Sequence, residues 1–129
     1  MQLHHLALGA TDVAALAGFY ASVFGLEQVR EHRRDDGTLR SVWLRLGEGL
    51  LMVESIEAGP AREQGLRLPE PGWFLLAFAT ADEAESEAVC SAATARGATE
   101  SHRTGFTRYL VDPEGNRVAV SHFPLPKGP

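Results

Sequence analysis

The feature that most limits the fold of this chain is that its pattern occurs twice. A strand-like segment leads to a capping residue, Thr11 or Asp12 in the first half and Asp82 in the second. A helical segment follows each cap and ends at a glycine, Gly25 or Gly97, which adopts the left-handed conformation without steric cost. Asp82 lies 70 residues after Asp12. The sequence therefore predicts a duplicated supersecondary unit.

Hydrophobic periodicity predicts the elements of the first half. The residues after the cap repeat apolar side chains at steps of three and four, which is typical of a helix with one buried face. The shorter flanking segments predict strands, with a tight turn at Asp36-Gly37. The predicted strands and helix are Leu3–Gly9, a helix to Phe24, Leu26–His32, Ser41–Leu46 and Leu50–Ser55.

The second half repeats the same order of elements. Its helix carries mainly alanines on the inward side, which predicts close packing against its sheet. Asp112-Pro113-Glu114-Gly115 has Asp, Pro and Gly where a type I turn favours them. The predicted elements are Trp73–Thr80, a helix from Asp82 to about Arg96, Ala98–Arg103, Phe106–Val111 and Asn116–Phe123.

Both halves thus predict a βαβββ unit and an α+β fold. We expect one domain over residues 1–129, with units at 1–56 and 72–124 and a linker at 57–71. A βαβββ unit leaves one sheet face uncovered. Two units placed edge to edge would form a curved eight-stranded mixed sheet whose concave side is a ligand cleft. The sequence leaves open whether the halves pair within one chain or swap between chains.

Composition and charge argue against several classes of function. The chain has 17 acidic and 12 basic residues, a net charge of −5, so it lacks the basic footprint of a nucleic-acid-binding protein and agrees better with a cationic ligand. The longest apolar run, Trp73–Ala79, is too short to span a bilayer. No signal-peptide pattern precedes the first strand, so we expect a cytoplasmic protein without membrane or nucleic-acid partners. The single cysteine, Cys90, excludes a cysteine-based zinc site and is interpreted as a small buried helix residue.

Two segments resemble a known family. The first is Leu3-His4-His5-Leu6-Ala7-Leu8 followed by Asp12, Phe19-Tyr20 and Phe24-Gly25-Leu26, and the second is Tyr109 to Val118. They resemble the vicinal oxygen chelate superfamily, which includes glyoxalases, bleomycin resistance proteins and extradiol dioxygenases. The resemblance covers Leu3 to Phe123 and implies a homodimer with a small-molecule ligand. Because members include lyases, isomerases, oxygenases and metal-free drug-sequestering proteins, the resemblance leaves open whether the chain is an enzyme.

The resemblance also implies four positions for metal ligands, two of them in the first half. Metal-dependent members hold a divalent ion with His and Glu side chains, and the ion stabilises an oxyanion on the substrate. The first position falls on His5. The second falls among Met52, Val53 and Glu54, of which Met52 and Glu54 share a face. His5 and Glu54 are therefore the residual metal candidates, and they could instead form an acid–base pair.

The other two positions lie in the second half and carry no donor. They fall on Leu75, with Trp73 as its neighbour on the same face, and on Ala119. His122 lies on the opposite face from Ala119 by strand alternation, His102 lies near a strand end, and His4 points away from the cleft. With at most two of four ligands kept, the resemblance supports no cofactor beyond a divalent metal as the less favoured alternative.

The remaining cleft predicts an organic ligand. Tyr109 matches a tyrosine that reaches the substrate in fosfomycin-modifying relatives, and Trp43 flanks the same region. We interpret the chain as a small-molecule binding protein of the bleomycin-resistance type that takes an apolar or aromatic compound. The alternatives are a metal-dependent glyoxalase-like lyase, isomerase or dioxygenase, and an interaction domain whose vestigial cleft is filled by its own side chains. The candidate ligand-binding residues are His5, Trp43, Met52, Glu54, Trp73, Leu75, Tyr109 and Ala119.

Overall fold

The computed structural model describes residues 1–56 and 72–126. The chain divides into an N-terminal and a C-terminal compact unit. Each unit contains one helix and a four-stranded mixed sheet, so the α+β class and the two βαβββ units are confirmed. The predicted linker, residues 57–71, lies outside the described residues.

The elements of the N-terminal unit follow the predicted order. Helix α1 begins after Asp12, whose carboxylate accepts a hydrogen bond from the Ala15 N–H at 3.0 Å, so Asp12 rather than Thr11 is the cap. The helix ends at Gly25, which has a φ of 66°. The elements are β1 His5–Ala10, α1 Val13–Phe24, β2 Gln28–Arg33, β3 Leu39–Leu46 and β4 Gly49–Ser55.

The N-terminal sheet has the strand order β1-β4-β3-β2, with β1 and β4 parallel and the other pairs antiparallel. Helix α1 packs on β3 and β4, where alternate side chains are fully or almost fully buried: Val42, Leu44, Leu51 and Val53. Because side chains alternate along a strand, the residues between them lie on the opposite side. We call this side the helix-free face; its residues are His5, Ala7, Gly9, Arg30, His32, Leu39, Ser41, Trp43, Arg45, Leu50, Met52 and Glu54.

The C-terminal unit repeats this arrangement with the order β5-β8-β7-β6. Asp82 caps α2 by accepting from the Glu85 N–H at 2.8 Å, as Asp12 caps α1. Gly97 follows the helix with a φ of 97°. The elements are β5 Leu76–Ala79, α2 Glu83–Ala95, β6 Thr99–Arg103, β7 Thr107–Val111 and β8 Arg117–Ser121. Neither α1 nor α2, the helices of the described residues, is long and apolar enough to cross a membrane.

Strand β5 is shorter than predicted. The sequence predicts a strand from Trp73, but pairing begins at Leu76, which lies opposite Val118 of the parallel strand β8. Since β8 itself begins at Arg117, which would lie opposite Leu75 in this register, Trp73 and Phe74 have no strand residue to pair with. Trp73 is consequently 91% exposed. Phe74 lies against Arg117, whose guanidinium carbon is 4.6 Å from the centroid of the phenyl ring.

The loop between β7 and β8 is built on Asp112, which is 3% exposed. Its carboxylate accepts hydrogen bonds from the Glu114 and Asn116 N–H groups, both at 2.9 Å, and from the Asn116 side-chain amide. Gly115 donates its N–H to the Asp112 carbonyl and has a φ of 88°. The predicted turn is therefore confirmed, with an aspartate that bonds the backbone around it.

A charged cluster connects α2 to its sheet. The buried Arg108 guanidinium donates two hydrogen bonds to Glu83 in the first turn of α2. These bonds hold the pKa of Glu83 below its ordinary value. His122 Nδ1 lies 3.8 Å from the same carboxylate, so His122 is on the helix side of the sheet, as alternation predicts. Cys90 is also buried on α2, and burial raises the pKa of its thiol.

Candidate functional site

Trp43 lies near the middle of the helix-free face. Cross-strand pairing places it opposite Met52 of β4 on one side and Arg30 of β2 on the other. The Arg30 guanidinium carbon lies 5.4 Å from the indole centroid, and the His32 ring centroid lies 4.9 Å away with a tilt of 55°. We call Arg30, His32, Trp43 and Met52 the indole cluster.

Two ring nitrogens in the indole cluster are buried without a hydrogen-bond partner. They are Trp43 Nε1 and His32 Nε2, and neither has a partner within residues 1–56 or 72–126. A buried polar atom left unpaired costs about 1–3 kcal/mol. In the described part of the chain the third such atom is His122 Nδ1, on the helix side of the other sheet. The indole cluster therefore combines an aromatic surface with unused hydrogen-bonding capacity.

The cluster has a close-packed base. Met52 is 8% exposed and Ser41, its neighbour on the same face, is 4% exposed. Glu54 pairs with Ser41 across the β3–β4 ladder and is exposed. Met52 and Glu54 thus share a face as predicted, whereas Val53 points to α1 and is fully buried. Of the three residues that the sequence left open, Val53 therefore lies on the other face of the sheet from His5.

His5 and Glu54 do not meet within the N-terminal sheet. His5 pairs with Leu50 in the parallel β1–β4 ladder, whereas Glu54 pairs with Gly9. Four residues along a strand correspond to about 13 Å, which is too far for one metal ion or one proton transfer. The N-terminal sheet therefore does not bring His5 and Glu54 together as a pair. His5 Nδ1 instead lies 2.8 Å from His4 Nδ1, and both imidazoles are exposed.

The candidates of the C-terminal unit fall into two groups. Ala119 and Tyr109 pair across the β7–β8 ladder on the side opposite Leu110, and Ala119 is fully buried. The Tyr109 ring lies 5.6 Å from that of exposed His102 on β6. Leu75 and Trp73 precede β5 and are not part of the sheet.

The donor set does not fit a family-type divalent metal site. Within the described ranges no group of three or more His, Cys, Asp or Glu side chains is placed to hold a metal ion. In the N-terminal sheet the neighbour of His5 is Leu50, which has no donor atom. The matching C-terminal positions carry Leu75 and Ala119, which also lack donors.

Two members of the indole cluster, Arg30 and His32, are absent from the set predicted from the sequence. Both lie on β2, where the register with β3 shifts between Gln28 and Arg30 and again after His32. Simple alternation counted along β2 therefore does not match its partner strand. The usable signal is the Arg-x-His spacing, which places both side chains on one face.

Two βαβββ repeats, each with one sheet face left uncovered by its helix, define the class of vicinal oxygen chelate folds. The family model described as Glyoxalase/Bleomycin resistance protein/Dioxygenase superfamily matches residues 2–120. The chain belongs to this superfamily.

Solved structures agree on the fold. The fosfomycin resistance protein FosX from Mesorhizobium loti superposes with a TM-score of 0.72 at 16% identity, covering 96% of this chain and 93% of that one. A mutant of FosX from Listeria monocytogenes complexed with Mn(II) and a dihydroxypropylphosphonic acid gives 0.72 at 16% identity, covering 96% and 94%. A lactoylglutathione lyase from Agrobacterium tumefaciens gives 0.62 at 25% identity, covering 93% and 92%. No curated protein matches the sequence significantly.

Proposed function

We propose that the chain is a small-molecule binding protein of the glyoxalase/bleomycin-resistance type that holds an aromatic compound on the helix-free face of its N-terminal sheet. One observation carries the proposal: Trp43 Nε1 and His32 Nε2 are buried without partners beside an aromatic and thioether surface. A ligand that packs on the indole and supplies an acceptor to its N–H would use both properties at once.

The chemistry favours binding over metal-assisted catalysis. An aromatic contact contributes about 0.5–1.5 kcal/mol beyond its buried area, and each restored hydrogen bond contributes a similar amount. A metal-assisted reaction would need three or four ligands, and within the described residues no group of three His, Cys, Asp or Glu side chains is placed to supply them. Sequestration of a ligand requires no reacting group and is the function that these residues support best.

Of the remaining candidates, Glu54 belongs to this proposal as a secondary contact. It lies at the exposed end of the face, next to Ser41, and changing it is expected to weaken binding less than changing Trp43. The candidates of the C-terminal unit, Trp73, Leu75, Tyr109 and Ala119, stay predictions from the sequence and are not part of this proposal.

The test is calorimetric titration with naphthamide, a neutral fused-ring compound, and two tryptophan variants. Trp43→Leu removes the indole, whereas Trp73→Leu removes a tryptophan that is 91% exposed and outside the strands. We expect Trp43→Leu to abolish binding and Trp73→Leu to leave it within twofold, as a rough limit. Equal binding by wild type and Trp43→Leu contradicts the proposal, as does the absence of binding by both naphthamide and its carboxylate analogue, naphthoate.

Metal content tests the competing interpretation. Protein purified without chelator or affinity-tag metal is analysed for divalent ions, and thermal melts are recorded with added Ni²⁺, Zn²⁺, Mn²⁺ and Fe²⁺. A metal that binds the native state raises its melting temperature with concentration. We expect no stoichiometric metal and no shift. Near-stoichiometric metal that is lost in His5→Ala would overturn the sequestration proposal in favour of a metal-dependent lyase, isomerase or oxygenase.

Two further expectations come from the resemblance and the sequence. The family resemblance predicts a homodimer, which light scattering on the eluting protein can measure. The sequence predicts a cytoplasmic location, which cell fractionation can test.

A further inference from the structure

Arg30 differs from two other arginines near it in the N-terminal unit. Arg33 pairs with Glu31 at 3.1 Å, and Arg45 approaches Glu27 at 3.7 Å. Arg30 has no carboxylate partner in the part of the chain that the structure describes, and its guanidinium lies over Trp43. Stacking uses the face of a guanidinium and leaves the N–H groups at its edge free to donate.

The charge nearest to Trp43 differs in sign from the net charge of the chain. The chain carries −5, but the charged group that contacts the indole is Arg30, whereas Arg45 on the same face is paired with Glu27. Glu54 pairs with Ser41, one step along the ladder from Trp43, whereas Arg30 touches the indole itself. Charges within a few ångströms outweigh a net charge spread over the surface, because salt screens interactions beyond about 8 Å.

We propose that the ligand of this face is a planar aromatic anion of the carboxylate class. Its ring would pack on Trp43 and Met52. Its carboxylate would accept hydrogen bonds from the Arg30 guanidinium and the Trp43 indole N–H, with His32 Nε2–H as a further donor in that tautomer. This inference rests on the proposed function and adds the charge of the ligand to it.

The arrangement explains why these three nitrogen groups occur together. A carboxylate has two oxygens and can accept several hydrogen bonds, so it can satisfy Arg30, Trp43 and His32 together. A neutral amide offers one acceptor and brings its own donors, and an ammonium group offers only donors to a set of donors. Charge-assisted bonds to a guanidinium are also about twice as strong as neutral ones. Ligand entry beside Arg30, the exposed member of the cluster, would involve side-chain rearrangement of the kind common at binding sites.

The test uses three probes of one shape: naphthoate, naphthamide and naphthylmethylammonium. Calorimetric titration of the full chain should give the tightest binding for naphthoate and the weakest for the ammonium compound. Arg30→Gln should weaken naphthoate roughly tenfold, equivalent to one charge-assisted hydrogen bond, while naphthamide changes less than about twofold. Arg30→Lys keeps the charge without the planar fork and should fall between wild type and Arg30→Gln.

Arg40 provides the matched control. Arg40 is an exposed arginine of β3, three residues before Trp43 in the sequence. It lies on the same side of the sheet as Val42, opposite to the helix-free face. Arg40→Gln changes the net charge by the same amount, so it should leave the affinity for naphthoate within about twofold. A thermal melt of each variant verifies folding before titration.

The outcomes separate the two proposals. If naphthamide binds as tightly as naphthoate, or if Arg30→Gln and Arg40→Gln weaken naphthoate equally, the anionic ligand class is wrong while Trp43-dependent binding stands. If no probe binds in a Trp43-dependent way, the proposed function fails and the ligand class fails with it. Naphthoate preference lost specifically in Arg30→Gln supports both.

Discussion

Replacing His32 with phenylalanine should make the unliganded protein more stable. The imidazole lies against Trp43 with its Nε2 buried and unpaired, so the phenyl ring keeps the aromatic contact and removes the unsatisfied nitrogen. An unpaired buried polar atom costs about 1–3 kcal/mol. The phenyl ring is slightly larger than imidazole, and overpacking offsets part of the gain. We expect a net stabilisation of about 1 kcal/mol, which is unusual in sign for a substitution of a half-buried residue.

Urea unfolding measures this change directly. With a slope of about 2 kcal/mol per molar urea, a gain of about 1 kcal/mol moves the midpoint upward by roughly 0.5 M at unchanged slope. The same variant should bind naphthoate more weakly, because it lacks a donor for the carboxylate. A variant that is more stable but binds the ligand more weakly is the result expected when the replaced polar group serves ligand binding rather than folding.

The repeat supplies the control for His32→Phe. His102 lies 70 residues after His32 and contacts Tyr109, but it is exposed. His102→Phe should therefore change the free energy of unfolding by less than about 0.5 kcal/mol. Destabilisation by His32→Phe would refute the reasoning, because the buried Nε2 that the substitution removes has no hydrogen bond to lose. An equal gain in both variants would also refute it, because burial would then have no part in the effect.

Three further predictions concern the scaffold. Glu83→Gln should lower the melting temperature most at neutral pH. Arg108 holds the pKa of folded Glu83 below the ordinary value of about 4.3, so the ion pair contributes its full stabilisation at pH values above about 4.3. This stabilisation is lost as the pH falls through the pKa of Glu83 in the folded protein. Melts from about pH 7 to pH 3 should show the difference from wild type shrinking, and a constant difference would contradict this origin. Gly49→Ala should destabilise by about 1–3 kcal/mol in urea, because its Cβ would lie 2.9 Å from the His4 carbonyl oxygen; an unchanged midpoint would show that the backbone yields. Asp112→Ala should cost about 2 kcal/mol in the same assay, since it removes the acceptor of the Glu114 and Asn116 N–H groups, and a loss below about 0.5 kcal/mol would mean that water replaces the carboxylate.

Local signals made the scaffold predictable from the sequence. The caps Asp12 and Asp82 and the glycines that follow each helix are determined by hydrogen bonds and backbone conformations within a few residues. Strict alternation also placed Met52 with Glu54 and separated His122 from Ala119. These features need no knowledge of how distant segments pair.

The candidate site depended on pairing that the sequence does not encode locally. His5 and Glu54 each face the right side, but the offset of the parallel β1–β4 ladder separates them. Because the register between β2 and β3 shifts twice, the sequence did not predict that Arg30 and His32 lie close to Trp43. Trp73 has high strand propensity, yet no partner strand extends far enough to pair with it. Each difference arises from register, which is a relation between strands.

The indole cluster lies entirely on three strands that follow one another in the chain, β2, β3 and β4. Antiparallel strands joined by short connections pair with little loss of chain entropy. Strand β1 pairs with β4, and the helix and two strands lie between them in the sequence, so this pairing closes a much longer loop. We therefore expect the segment Gln28–Ser55 to acquire its pairing early in folding and β1 to dock late. A ligand present during refolding would then meet Trp43 and Arg30 already aligned, and its binding would speed folding as well as oppose unfolding.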